Sequence, residues 1–221
     1  MGYKIHIYSS ETRSWKLSMD KKPMSEFGYF RKGRSVYWNG TLIWPGKDFL
    51  LAFDVEGESA KKLPMPQELC ESSKVVYIGE SGGKLQMIGR SNDGNVTYVI
   101  DIWEMDCQRS DWTVLARVDL SPMVDLYPQG EPPWLCKLAR GRQLTSEPPE
   151  FKPVHFIRGR GGGAGGDGIL LLSIRRKIIS YNLEDAAFTD VCDVIVHRPG
   201  SYYCMYDWHK FYPLGHTLYS P

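Results

Sequence analysis

Little in this sequence points to a membrane, a secreted scaffold or a polyanionic partner. Apolar runs are a few residues long, as in Ile169-Leu170-Leu171-Leu172, where a spanning helix takes about 20. The start, Met1-Gly2-Tyr3-Lys4-Ile5-His6, has neither the cationic nor the apolar part of a secretory signal. His6 also stands where a myristoylation signal takes Ser or Thr. The five cysteines, Cys70, Cys107, Cys136, Cys192 and Cys204, are odd in number and contain no CxxC, so no disulfide framework is legible and reduced thiols, buried or half-buried, are expected. Lys plus Arg is 27 against 26 Asp plus Glu among 221 residues, a net charge of +1. No global field draws nucleic acid or anionic lipid; only a local patch could. A cytoplasmic or nuclear protein is expected, with no membrane partner. Helical periodicity is also scarce: no 12-residue stretch carries a helical stripe, and Met65–Cys70 is the best short candidate.

What the chain has is aromatics, at 13%, and a period of two. Lys4-Ile5-His6-Ile7-Tyr8 alternates, Ser9–Ser14 turns, and Trp15-Lys16-Leu17 alternates again, which is a hairpin pattern. Val36-Tyr37-Trp38 meets Asn39-Gly40 and then Thr41-Leu42-Ile43-Trp44; Asn-Gly between apolar runs favours a type I′ hairpin because both residues tolerate positive φ. Asn39 and Asn95 each open an Asn-x-Thr sequon, but without a secretory signal both are expected to be turn residues.

Hairpins recur. Leu50–Val55 with Leu63–Pro66, Val99–Met105 with Trp112–Leu115, and Lys177–Leu183 with Phe188–Val191 repeat the Ile5–Leu17 design of apolar strand, charged turn and second strand. Taking Tyr8, Phe53, Ile102 and Tyr181 as equivalent gives gaps of 45, 49 and 79, the first two in the 40–50 residue range of propeller blades. An insertion at about 128–168, Pro-rich and then Gly-rich, accounts for the third. Partner strands are expected at Val36–Trp44, at Val75–Ile78 with Leu85–Gly89, and at Phe156–Ile157 with Leu170–Ile174. Four strands per period is a blade. The chain therefore reads as one all-β domain, 1–221, a propeller-like arrangement of about four to five blades, closed or incomplete; the alternative is an irregular β-sandwich. Tyr202–Tyr206, aromatic and β-prone, is the expected source of a closing strand.

In order, YKIHIYSSETRSWKLS, VYWNGTLIW, LLAFDVEGESAKKLPMP, YIGESGGKLQMIG, IDIWEMD with WTVLARVDL, and KIISYNLEDAAFTDVCDV resemble the C-terminal, kelch-like F-box-associated region of plant F-box proteins, from about Tyr3 to Asp193. The resemblance implies a target-recognition domain of an SCF-type ubiquitin ligase: the domain holds a target protein and does no chemistry. A Skp1-type adaptor is implied as partner only where an F-box lies upstream, and no F-box precedes Tyr3 in this sequence, so the chain alone is expected not to bind the adaptor. The other readings are a stand-alone, non-catalytic propeller scaffold and a carbohydrate- or RNA-binding module.

Motifs for chemistry are few. Gly161–Gly166 satisfies GxGxxG in letters, but a strand-like run follows where a dinucleotide site needs a helix. Asp167 stands where a P-loop takes Lys, so the stretch reads as a flexible loop. Gly82-Gly83 fits either the kelch double glycine or a plain hairpin turn. Cys204, His209 and His216 lie close together without zinc-ligand spacing. No nucleophile has a legible base, and Asp54, Asp101 and Glu104 are read as polar turn residues. No enzyme, metal or cofactor is expected. For partner binding, Trp134 beside Arg140 and Arg142 has the make-up of an interface anchor, and Arg158 with Arg160 flanks the Gly-rich loop. These five are the candidate contact residues.

Overall fold

The computed structural model describes residues 2–23, 35–46, 48–71, 74–90, 98–106, 111–126, 151–159, 167–174 and 177–193. These residues form fourteen strands and two short helices. A two-stranded sheet, β1 (Gly2–Ser9) and β2 (Ser14–Pro23), comes first. Three antiparallel four-stranded sheets follow, each in simple meander order. The first holds β3 (Val36–Trp38), β4 (Thr41–Pro45), β5 (Phe49–Asp54) and β6 (Ser59–Pro64). The second holds β7 (Lys74–Ser81), β8 (Lys84–Arg90), β9 (Val99–Asp106) and β10 (Asp111–Asp119). The third holds β11 (Phe151–Arg158), β12 (Gly168–Ile174), β13 (Lys177–Asn182) and β14 (Phe188–Asp193). Helix α1 (Gln67–Glu71) leads into the second sheet and α2 (Ser121–Leu126) leaves it. The expected all-β, propeller-like arrangement is what the chain adopts, with three complete four-stranded units and one two-stranded unit among the described residues.

The register explains the recurring hairpins. Tyr8, Phe53, Ile102 and Tyr181 sit in β1, β5, β9 and β13, the penultimate strand of each unit, and the polar strand that follows is its outer edge. β13 pairs outward with β14, whose last five residues are all exposed. Middle strands are apolar on both faces because both faces are covered. In β9, Ile100 and Ile102 join one core while Trp103 and Met105 join another. The first of these cores binds the second sheet to the third through Ile88, Ile100 and Ile102 against Phe151, Phe156, Leu170 and Leu172. The other binds the first sheet to the second through Ile43, Leu50 and Ala52 against Leu85, Met87 and Met105, with Leu69 of α1 included. The second sheet is thus packed face to face between its neighbours, as blades are.

Asn39 and Gly40 take φ of 48° and 76°, and Gly82 and Gly83 take 60° and 77°. Both pairs are two-residue type I′ hairpin turns, so Gly82-Gly83 is a turn between β7 and β8 rather than a bend within a strand. The insertion at 128–168 is interrupted by β11 at Phe151–Arg158, which divides it into the connection before that strand and the Gly-rich loop after it. Helix α1 falls on the Met65–Cys70 candidate; α2 had no stripe long enough to be read. Cys192 is exposed rather than buried. Asp54 caps its turn, its Oδ1 accepting from the Glu56 and Gly57 amides at 3.1 Å. Asp101 and Glu104, by contrast, lie inside β9 and not in a turn. The closing strand expected at Tyr202–Tyr206, and the residues of the GxGxxG, zinc and Asn95 readings, lie outside the described residues. No described helix is long and apolar enough to cross a membrane.

Candidate functional site

The first strands of the three large sheets, β3, β7 and β11, run side by side. β3 and β7 end on turns after Trp38 and Ser81, β11 ends at Arg158, and hydrogen bonds tie these three ends together. The Trp38 indole N–H donates to the Gly83 carbonyl at 2.9 Å. The Arg158 amide donates to Ser81 Oγ at 2.9 Å. The later turns join the same end: Val55 N–H donates to Gly40 O at 3.1 Å, and Leu183 N–H donates to Gly168 O at 2.9 Å. One end of the molecule is therefore built from hairpin turns, and the Gly-rich loop after Arg158 starts and finishes there.

On this end, Tyr37, Trp38, Asn39, Glu80 and Gly83 line an open groove of about 400 Å³ between the first and second sheets. Tyr37 is among the most exposed large side chains, at 63%. Glu80 Oε1 accepts the Gly83 amide at 2.8 Å, which holds the carboxylate against the turn.

Below the turns, a polar seam lies between the second and third sheets. Glu104 of β9 is paired with the Arg158 guanidinium of β11, and the two side chains are only 12% and 20% exposed. Gln86 stands directly across from Glu104 in register, fully buried, and neither its amide nitrogen nor its oxygen has a hydrogen-bond partner among the described residues. A buried amide without partners is a cost of roughly 1–3 kcal/mol. Gln86→Leu is expected to stabilise the protein by about 1 kcal/mol, read from the midpoint of chemical denaturation; a comparable loss would mean that the amide is satisfied.

Further along the seam the Tyr77 hydroxyl lies 2.8 Å from His155 Nδ1, and the rings meet edge to face. Burial pushes Tyr77 up to about 12, a backbone hydrogen bond from Phe156 opposing it and the Glu80 charge adding to it. Burial holds His155 below its ordinary value of 6.5, against the attraction of Glu80. The Tyr77 hydroxyl and the neutral imidazole share this hydrogen bond. A base whose folded pKa is depressed lends stability that is complete above its unfolded value. That contribution shrinks as pH falls from about 6.5 toward the folded pKa. The melting temperature is expected to drop between pH 7.5 and 5.5, and His155→Gln to flatten that drop; an unchanged slope in the variant would remove His155 from the effect.

The remaining carboxylate is structural as well: Arg117 grips Asp101 with two hydrogen bonds, at 2.6 and 3.0 Å, across the β9–β10 ladder. Among the described residues no three His, Cys, Asp or Glu side chains gather as metal ligands do.

Of the five contact candidates, only Arg158 is described, and its guanidinium is engaged by Glu104. Trp134, Arg140, Arg142 and Arg160 lie outside the described residues. The stretch holding the first three rejoins the fold at Phe151, the end of β11 opposite Arg158, roughly 23 Å away at strand rise. Sequence reasoning missed Tyr37 and Glu80. The available signal was position: Tyr37, Glu80 and Ile157 each sit two residues before the turn or loop that follows a first strand.

A family model of the Kelch motif matches residues 73–119, a span that coincides with the second sheet, β7 to β10. Two F-box proteins of Arabidopsis thaliana are each 27% identical to the chain; one alignment covers 86% of the chain and 44% of the relative, the other 55% and 34%. The chain spans less than half the length of either. Among solved structures, a protein from Lactobacillus plantarum aligns over 86% of the chain and 50% of its own length at 11% identity and a TM-score of 0.41. Saccharomyces cerevisiae Sqt1 aligns over 90% and 46%, also at 11% identity, with a TM-score of 0.36. Residues 73–119 thus carry a Kelch motif that coincides with one complete sheet, and the chain is similar over most of its length to a plant F-box protein.

Proposed function

We propose that residues 1–221 act as one non-catalytic domain that binds a target protein, as the recognition part of an SCF-type ubiquitin ligase in the cytoplasm or nucleus. The observation that carries this reading is the similarity to an F-box protein across 86% of the chain. The geometry agrees with it. Asp101 and Glu104 are engaged by Arg117 and Arg158, and Asp54 caps a turn, so each has a structural task. Turns gathered at one end of packed sheets give a rigid base for contact loops. In this reading the F-box of the assembled ligase engages the Skp1-type adaptor, and the turn end engages the target. Trp134, Arg140, Arg142 and Arg160 are proposed as further contacts from the two flanking segments. Arg158 serves as a support, because it carries the β11 end of the turn surface. An RNA-binding role for Arg158 is disfavoured because its charge is already paired.

The test is reconstitution. A partner captured from plant extract by the tagged chain is purified, and a stoichiometric complex is measured by calorimetry. The chain is then joined to an F-box and assembled with the adaptor and the remaining ligase subunits. The expected results are a one-to-one complex, no chemical change in the partner from the chain alone, and ubiquitination of that partner by the assembled ligase. Failure to bind any polypeptide, or a covalent change produced by the chain alone and abolished by one substitution, would overturn the reading.

A further inference from the structure

We propose that the groove between the first turns of the first and second sheets receives a lysine or arginine side chain of the protein partner. This rests on the recognition role above and assigns it a chemistry. Among the described residues the groove is lined by Tyr37, Trp38, Asn39, Glu80 and Gly83, which include two aromatics and one formal charge, a carboxylate. Among the described residues, neighbouring cations do not cancel that charge. Lys84 is opposite Ser81 in the β7–β8 ladder, whereas Glu80 is opposite Leu85, so the two charges lie on different faces of the sheet. Leu85 packs toward the first sheet, which places Glu80 on the groove side. Arg158, beside Gly82, is neutralised by Glu104.

The groove is also held in shape before any ligand arrives. The Trp38 N–H is used by Gly83 O, so what the indole has left to offer is its ring. Glu80 spends one acceptor position on the Gly83 amide, and a carboxylate has about four. A fixed carboxylate beside the exposed Tyr37 ring and the half-buried Trp38 ring suits an ammonium or guanidinium, by charge-assisted hydrogen bonds and attraction to the ring faces. A neutral side chain lacks the ion pairing and the attraction to the ring faces, and an acidic one is repelled by the carboxylate.

The test follows the Trp38 indole resonance by NMR in the intact chain. Capped pentapeptides, acetyl-Gly-Ser-X-Ser-Gly-amide, are titrated with X as Arg, Lys, Gln or Glu, alongside ethylguanidinium alone. The Arg and Lys peptides are expected to bind about five- to tenfold more tightly than the Gln peptide, and the Glu peptide least. Glu80→Gln is expected to erase that preference, and Tyr37→Ala to weaken both cationic peptides. Both positions are exposed, so the variants are expected to melt as the parent does. Equal binding of Arg and Gln peptides, or a preference that survives Glu80→Gln, would overturn the proposal. Ethylguanidinium binding as tightly as the Arg peptide would overturn the assignment to a polypeptide. A chain that captures its partner yet shows no charge preference here would keep the recognition role and lose the groove.

Discussion

Phe156→Ala is expected to destabilise the protein by about 3–5 kcal/mol, the range for emptying a fully buried aromatic site. Phe156 is wholly inaccessible and stands in the core shared by the second and third sheets, among Ile88, Ile102, Leu170 and Leu172. Its loss therefore opens a cavity between sheets rather than within one. For a chain of this size each kcal/mol moves the melting temperature by about 2–4 °C, so a fall of roughly 6–20 °C is predicted. Because the same core joins two sheets, fluorescence and circular dichroism should report one coincident transition. Val191→Ala, at an exposed edge position of β14, is the control and is expected to stay within about 0.5 kcal/mol. A loss below about 1 kcal/mol for Phe156→Ala would mean that the two sheets do not share this core.

Arg158→Met is expected to cost about 3–5 kcal/mol, because it leaves the Glu104 carboxylate nearly buried without its counter-charge. The pair spans two sheets and 54 residues of sequence, so its coupling reports tertiary packing directly. Glu104→Met alone is expected to be costly for the mirror-image reason. The double variant, Arg158→Met with Glu104→Met, is expected to recover most of the loss, since a buried ion pair replaced by apolar side chains of similar volume is often neutral or better. A double-mutant cycle in denaturant should then give a coupling of about 2 kcal/mol or more. Additive losses would place the two charges out of contact.

What was legible in the sequence was whatever a strand writes locally. Alternation set the hairpins, Asn39-Gly40 announced its turn through backbone preference, and the spacing of Tyr8, Phe53 and Ile102 exposed the repeat. These signals survive because neighbouring strands in a meander pair with their sequence neighbours, so period and pairing carry the same information. What was hidden depended on which face of one sheet meets another. Glu104 reads as one more polar residue after Trp103; only the packing of the third sheet supplies Arg158. Gln86 and His155 look solvated in the sequence and are placed in the seam because Ile88 and Phe156 beside them must be buried. Tyr37 and Glu80 lie in different sheets and meet only because β3 and β7 run side by side. Helix α2 is too short for periodicity to declare it.

The central claim is that the end bearing the hairpin turns, and not the outer strand edges, meets the partner. Site-specific photo-crosslinking tests it most directly. A benzoyl-phenylalanine is placed at Tyr37, on the turn end, or at Val191, on the exposed edge of β14, and the protein is irradiated in plant cells. Tyr37 is expected to yield a discrete adduct containing the partner defined by calorimetry, and Val191 none. An adduct to that partner from Val191 with none from Tyr37 would contradict the account.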